Sequence, residues 1–321
     1  MQTPTTLFRS LLTAGLCLAS LHAAAIKHEF VAIDEGLAQL LYVNENAPAK
    51  NWLVPVGQAQ ARDLQLIGGN RLLVGHNTGY AEFDLATGQK VAEVASYKGV
   101  TSARRLPNGH TLLAGVNLGG ATGVVGLEID AAITVVNKIV YPGNYVRLLR
   151  QTAKGTFLLM TDTMIREGDA TGAIVWEAKI DGFRHAWKAV RLPDGRTLAS
   201  AGYGAFLVEL DPAGKIVRKF GGKEETPAAL KADFYATFQL LPNGDVVVAN
   251  WQGHGPGHGA SGVQLLEFDK AGAIVWQWSE AEKISSLQGV LVLDGLDTAV
   301  LHDERNGLME PLQATASGRK N

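Results

Sequence analysis

One phrase returns three times along this 321-residue chain: Leu106-Pro107-Asn108-Gly109, Leu192-Pro193-Asp194-Gly195 and Leu241-Pro242-Asn243-Gly244, each followed by an apolar run. Weaker copies surround Gly69, Gly155 and Gly295. Between them lies a second phrase, an apolar run ending in Asp and then a turn with Gly: Asp84 to Gly88, Asp169 to Gly172, Asp211 to Gly214 and Asp269 to Gly272. A fifth copy, Ile129-Asp130, has lost its Gly. A repeat of about forty to fifty residues restricts the fold to stacked or radial units.

Each phrase specifies a hairpin. Pro presets φ at the first corner, Asn or Asp tolerates the next, and Gly supplies the left-handed residue before a new strand. In the second phrase the Asp side chain can bond the amides beyond it. Two hairpins make a four-stranded unit, and the Gly landmarks 69, 109, 155, 195, 244 and 295 count six of them. The last unit is read as one hairpin, Val290 to Leu301, before the chain runs out. The chain also begins with an unmatched pair, His28 to Ile33 and Ala38 to Val43, and a further segment Trp52 to Val56. Joining the two ends completes the unit and removes free sheet edges. The expectation is all-β: a six-bladed β-propeller of four-stranded blades, closed by a blade shared between the termini. Two interblade segments, 221–234 and 279–286, are read as short helices, because Thr226-Pro227 and Ser279-Glu280 are good helix starts.

Residues 1–25 read as an export signal, with Arg9, an apolar stretch from Leu11 to Leu21, and Ala23-Ala24-Ala25 at the end. Residues 26–321 are then a single domain, periplasmic or extracellular. Removing the leader removes Arg9 and the only cysteine, Cys17, and takes the net charge from −2 to about −3. No basic surface speaks for nucleic acid, and no later stretch has the roughly twenty apolar residues of a membrane span. Without disulfides, the 46% hydrophobic content and ring closure must supply the stability.

The segments Arg104-Arg105-Leu106-Pro107-Asn108-Gly109-His110-Thr111-Leu112 and Leu266-Glu267-Phe268-Asp269-Lys270-Ala271-Gly272-Ala273-Ile274-Val275-Trp276 resemble exported bacterial propellers of the arylsulfotransferase-like and quinoprotein-like (PQQ-like repeat) groups. Asp169-Ala170-Thr171-Gly172 with Trp176 is similar to the latter's docking motif, in which tryptophan locks neighbouring blades; Asp84 to Gly88 is a partial copy. Quinone-dependent members usually have eight blades and a vicinal disulfide, so the resemblance does not extend to bound pyrroloquinoline quinone, and no cofactor is expected. The arylsulfotransferase branch implies histidines and an arginine around the central channel, one histidine carrying the sulfuryl group.

In a propeller, the loops from second to third strand and from blade to blade share the face where the channel opens. His76, His185, His254, His258 and His302 all map to that face, five of the seven histidines of the mature chain. Imidazole can serve there as acid, base, nucleophile or metal ligand; loops also simply collect polar residues. The segment Gly253-His254-Gly255-Pro256-Gly257-His258-Gly259 lengthens one loop by about ten residues, at small entropic cost. A metal held by His254 or His258 with His76, His302 and Asp303 is an alternative without support from spacing.

Aligning the first strands on the turn Gly puts Arg62, Ser102, Lys188, Thr237 and Gln288 at one level, with Leu148 the exception. That pattern fits a channel-facing ring, with Lys188 the residue for an anionic substrate and Trp187 and Trp251 for stacking on a sugar or aryl ring. Trp176, Trp276 and Trp278 fall on outer strands as packing residues. The reading is an exported propeller with a His-rich site at the channel mouth. His185, His254 and His302 are its catalytic candidates, and His76, His258, Lys188, Trp187, Trp251 and Arg62 its ligand contacts. A small-molecule or carbohydrate ligand, transferred or cleaved as an anion, is one function. A noncatalytic propeller binding carbohydrate, peptide or partner protein is the other.

Overall fold

A computed structural model describes residues 25–312. The proposed export signal lies outside them apart from Ala25. Six four-stranded antiparallel sheets surround a central channel. Five are continuous in sequence, beginning with inner strands Asp63–Leu66, Val100–Arg105, Leu149–Gln151, Ala189–Arg191 and Phe234–Leu240 (blades 1 to 5). In blade 6 the inner strand Leu287–Val292 comes from the far end of the chain, and the outer three, Glu29–Asp34, Gln39–Asn44 and Trp52–Pro55, from the beginning.

The turns are built as the repeats require. Gly109, Gly195 and Gly244 have φ between +83° and +88°, and Gly109 N–H donates to Leu106 O at 2.9 Å. The carboxylates of Asp211 and Asp269 each accept two amides of their own turn. Where the fifth copy lacks Gly, Ile133 takes the left-handed conformation at φ +64°, an unfavourable place for a β-branched residue. Apolar side chains of neighbouring sheets pack face to face, as Val31 and Leu40 of blade 6 do with Leu64, Leu72 and Phe83 of blade 1. Both expected helices fail: 221–234 holds only the 3-10 turn Ala228–Leu230, and 279–286 only turns. In 221–234 Gly221-Gly222 and the mid-segment Pro227 break any continuous helix, and the eight residues of 279–286 are too few to offset the cost of nucleation. No helix among the described residues is long and apolar enough to cross a membrane.

Closure rests on the pairing of Phe30 with Val292, Val31 with Leu291 and Ala32 with Val290. Buried His28 locks it, with Nδ1 2.5 Å from Asp294 Oδ2 and Nε2 3.0 Å from Glu267 Oε2. Burial alone would lower its pKa, but the bonds to Asp294 and Glu267 outweigh burial and raise it to about 9.

The expected last hairpin does not form beyond its first strand. The outer places of blade 6 are already filled, so the chain after Val292 turns beneath the ring: Gly69 and Asn70 of blade 1 donate to Ala299 O and Thr298 O at 3.0 and 2.9 Å. Residues 301–312 then cross the lower mouth, bridging to Ile67 at Leu301 and to Leu240 at Leu308, with Ala153 N–H bonded to Arg305 O at 3.1 Å. From this crossing Asp303 and Glu304 enter the channel, both buried. Asp303 pairs with Arg104; Glu304 pairs with Arg150 and lies 2.5 Å from Lys188 Nζ. Asp63 completes the layer, 2.7 Å from Arg150. Burial pushes Glu304 up, but Lys188, Arg150 and Arg104 more than offset it and hold it at about 2.

Two stability changes follow. The His28 pair stabilises fully below the ordinary histidine value of 6.5 and is lost as pH rises through about 9. Thermal melts should therefore lose roughly 2 kcal/mol over that window, allowing for the exposed Asp294, and His28→Gln should flatten the loss. Glu304→Gln leaves Arg150 and Lys188 short of a buried counter-charge and should cost about 3–5 kcal/mol in denaturant titrations.

Candidate functional site

Above the ion-paired layer the same channel is different. Among the described residues ten buried side-chain polar atoms lack a protein partner, and five belong to the upper channel level or the residue just before it: Arg62 Nε, Arg147 Nε, Trp187 Nε1, Thr237 Oγ1 and Gln288 Oε1. Irregular inner strands bring them there. Pairing skips Ala236 and Thr237 in blade 5 and Gln288 in blade 6, and a β-bulge of this kind re-aims a side chain. Buried polar atoms ordinarily find partners, so a concentration of unpaired ones at one level is unusual.

Two of these residues are cationic. Neither Arg62 nor Arg147 has a carboxylate within 4.0 Å among the described residues, although Arg62 is 9% exposed. Burial first and Arg147 second push the Arg62 guanidinium down to about 10, still charged at neutral pH. The Arg147 guanidinium lies over the rings of Tyr145 at 4.7 Å and Trp187 at 5.1 Å.

Its Nη2 is also 3.4 Å from Nδ1 of His185, which accepts the Tyr145 hydroxyl at 2.7 Å. Two donors on Nδ1 leave the proton of the neutral imidazole on Nε2. Burial lowers the His185 pKa, Arg147 and Arg184 lower it further, and Asp162 opposes them. Burial pushes the Tyr145 phenol up to about 12 against the pull of Arg147. His185 sits at φ +54°, its N–H donating to Asp162 Oδ1 at 2.8 Å. The turn is tight: a Cβ on Gly202 would meet the carbonyl oxygens of Arg184 and His185 at 2.4 Å. Left-handed backbone in a non-glycine residue beside charged groups is strain of the kind found at functional sites.

Across the mouth, the long loop of blade 5 is pinned. Buried Asp34 accepts the amides of Ser285 and Ser286 at 2.9 Å; Ser286 Oγ accepts the amides of Gln252 and Gly253, and Ser285 Oγ donates to Gly255 O. The loop carries His254 onto Glu35, Nδ1 to Oε1 at 2.8 Å, while Trp251 Nε1–H donates to Glu35 Oε2 at 3.2 Å. Tyr203, half-buried, joins the two sides, with ring centroids 5.7 Å from His185 and 6.3 Å from Trp251.

His185, His254 and Arg62 thus stand around this mouth, and His258 backs it, Nε2 3.1 Å from His254 O. Four expectations need correcting. His302 is in the crossing segment at the opposite end, with Nδ1 on Val300 O, because its stretch never became the second strand of a blade. Lys188 is buried against Glu304 and Phe238 O, so its charge is already spent on the chain's own acid. Trp187 and Trp251 are 2% and 4% exposed, wedged against Phe234 at 5.5 and 5.2 Å, and present no free face to a sugar. His76 is buried beside Thr78 at the end of the second strand of blade 1, and no set of three His, Cys, Asp or Glu suited to a metal exists among the described residues.

Sequence reading passed over Arg147, Tyr145, Glu35 and Tyr203. Arg147 was within reach: it precedes the exceptional Leu148 as Trp187 precedes Lys188. On the lower face a second cleft holds Trp176 and Arg191, but Arg191 is paired with Glu167 and the Trp176 N–H with Pro212 O.

No family model matches the sequence, and no curated protein matches it. Solved structures do match. A protein of unknown function from Bacteroides caccae superposes with a TM-score of 0.66 at 20% identity, over 83% of this chain and 99% of that one. The WD40 β-propeller domain of Doa1 gives 0.53 at 13%, over 79% of each chain. Virginiamycin B lyase from Staphylococcus aureus, catalytically inactive and with quinupristin, gives 0.50 at 12%, over 79% of this chain and 84% of that one. At these identities the likeness is one of fold.

A buried charge without a counter-charge is a stability cost. Arg62→Gln should therefore leave the melting temperature unchanged or raise it, a gain of up to about 1 kcal/mol, the reverse of Glu304→Gln.

Proposed function

We propose that the upper channel is the binding pocket of an anionic carbohydrate, with Arg62 and Arg147 holding its acidic group. The observation that carries this reading is the contrast within one channel: Arg104, Arg150 and Lys188 are neutralised by Asp63, Asp303 and Glu304, whereas Arg62 and Arg147 have no such partner. Guanidinium donors suit a planar carboxylate or a sulfate.

The crossing segment closes the lower mouth, so a ligand enters from above and end-on, as a small acid or a chain terminus. An export signal over residues 1–25 puts such a pocket outside the cytoplasm, where acidic polysaccharides are met. Sulfuryl transfer through His185 is disfavoured, because its unprotonated nitrogen already accepts from Tyr145 and Arg147.

Calorimetry with galacturonate, glucuronate, an aryl sulfate and glucose tests the pocket. Acidic ligands should bind and glucose should not, and Arg62→Gln or Arg147→Gln should weaken binding about tenfold or more. Equal binding of glucose, no binding of any of them at millimolar concentration, or an unchanged double variant would each sink the reading.

A further inference from the structure

The Glu35–His254 pair is built unlike a surface ion pair. Glu35 is 8% exposed in its side chain, whereas the His254 ring is 66% exposed. Both carboxylate oxygens are committed, Oε1 to His254 Nδ1 and Oε2 to the Trp251 indole, and the Glu35 amide is fixed on Ser286 O at 3.0 Å. An ionised carboxylate only accepts, so the nitrogen facing it is Nδ1–H and the lone pair of the neutral ring is on Nε2, away from Glu35. The ring is held although exposed: its edge meets Trp251 at a centroid distance of 4.6 Å, and its backbone is fastened through His258, Ser285 and Ser286 to Asp34. A buried acid orienting an exposed imidazole whose other nitrogen has no protein hydrogen bond is the arrangement of a general base. Glu35 is also near enough to Arg62 for the two charges to interact.

Building on the anionic-carbohydrate reading, we infer that His254, oriented by Glu35, is the proton acceptor of the mouth and that its substrate is a uronate-containing chain cleaved by β-elimination. Guanidiniums against the uronate carboxylate make the hydrogen on the adjacent carbon more acidic. His254 Nε2 takes that proton, its C–H electron pair forms a carbon–carbon double bond, and the bond from the β-carbon to the glycosidic oxygen breaks. The departing oxygen takes a proton from solvent, and the proton on His254 returns to solvent, so the protons balance. No water is consumed and no electron is lost.

Hydrolysis fits less well. It needs two carboxyl groups flanking the bond, one of them free to donate a proton. Glu35 is engaged at both oxygens, and Asp162 Oδ1 holds the His185 amide.

The full-length chain is assayed on polygalacturonate, following the ultraviolet absorbance of the unsaturated product. His254→Ala and the near-isosteric Glu35→Gln should lower kcat by about 100-fold or more with little change in KM, whereas Arg62→Gln should both raise KM and lower kcat. Independently, diethyl pyrocarbonate should modify His254 in the free protein, and bound galacturonate should slow that modification. If galacturonate binds in the calorimeter but gives no protection, or polygalacturonate yields no unsaturated product, or His254→Ala turns over like the wild type, the inference falls and the anion pocket stands. Absence of acidic-ligand binding removes the pocket itself, and the inference with it.

Discussion

Everything in this molecule depends on the hydrogen-bonded ladder between Phe30–Asp34 and Leu287–Val292. It joins two stretches from opposite ends of the chain, so its loop-closure cost is met only once, when the whole ring has assembled. Three strands of blade 6 come from the N-terminal side, which leaves the C-terminal stretch no edge to extend. The chain beyond Val292 therefore runs underneath, and the acids it carries find the cations of the channel.

That crossing decides the electrostatics above it. Arg104, Arg150 and Lys188 are too deeply buried to stand unpaired, and Asp63 alone could not balance them. Asp303 and Glu304 complete the layer and fill the lower end of the channel. The guanidiniums of the next level have no equivalent acid. A fold that neutralises three buried cations with care and leaves two others unpaired concentrates its unspent electrostatic energy at one mouth.

The legible part of the fold was the local part. Pro-Asn-Gly and Asp-x-x-Gly turns close within a few residues, so their count gave the blades and the strand ranges of the N-terminal segment came within a residue or two of those observed. The second-to-third-strand and blade-to-blade loops could be assigned to one face for the same reason, and they carry His254 and His185 respectively. His302 failed that logic because its assignment assumed a strand whose pairing edge was already occupied. Lys188 was expected to be free for a ligand, but nothing local announces that an acid more than a hundred residues away will reach it.

The sequence by itself determined the repeat, the blade number and the closure between the two ends, because each follows from turn chemistry and a period of two along a strand. Only the tertiary structure decided which channel cations are paired, which aromatic rings are buried in the Phe234 cluster, and which histidine nitrogen faces a carboxylate. Those depend on distances between blades and on a segment diverted by lack of a free edge, and electrostatic contacts across a ring carry no signature in the order of residues along it.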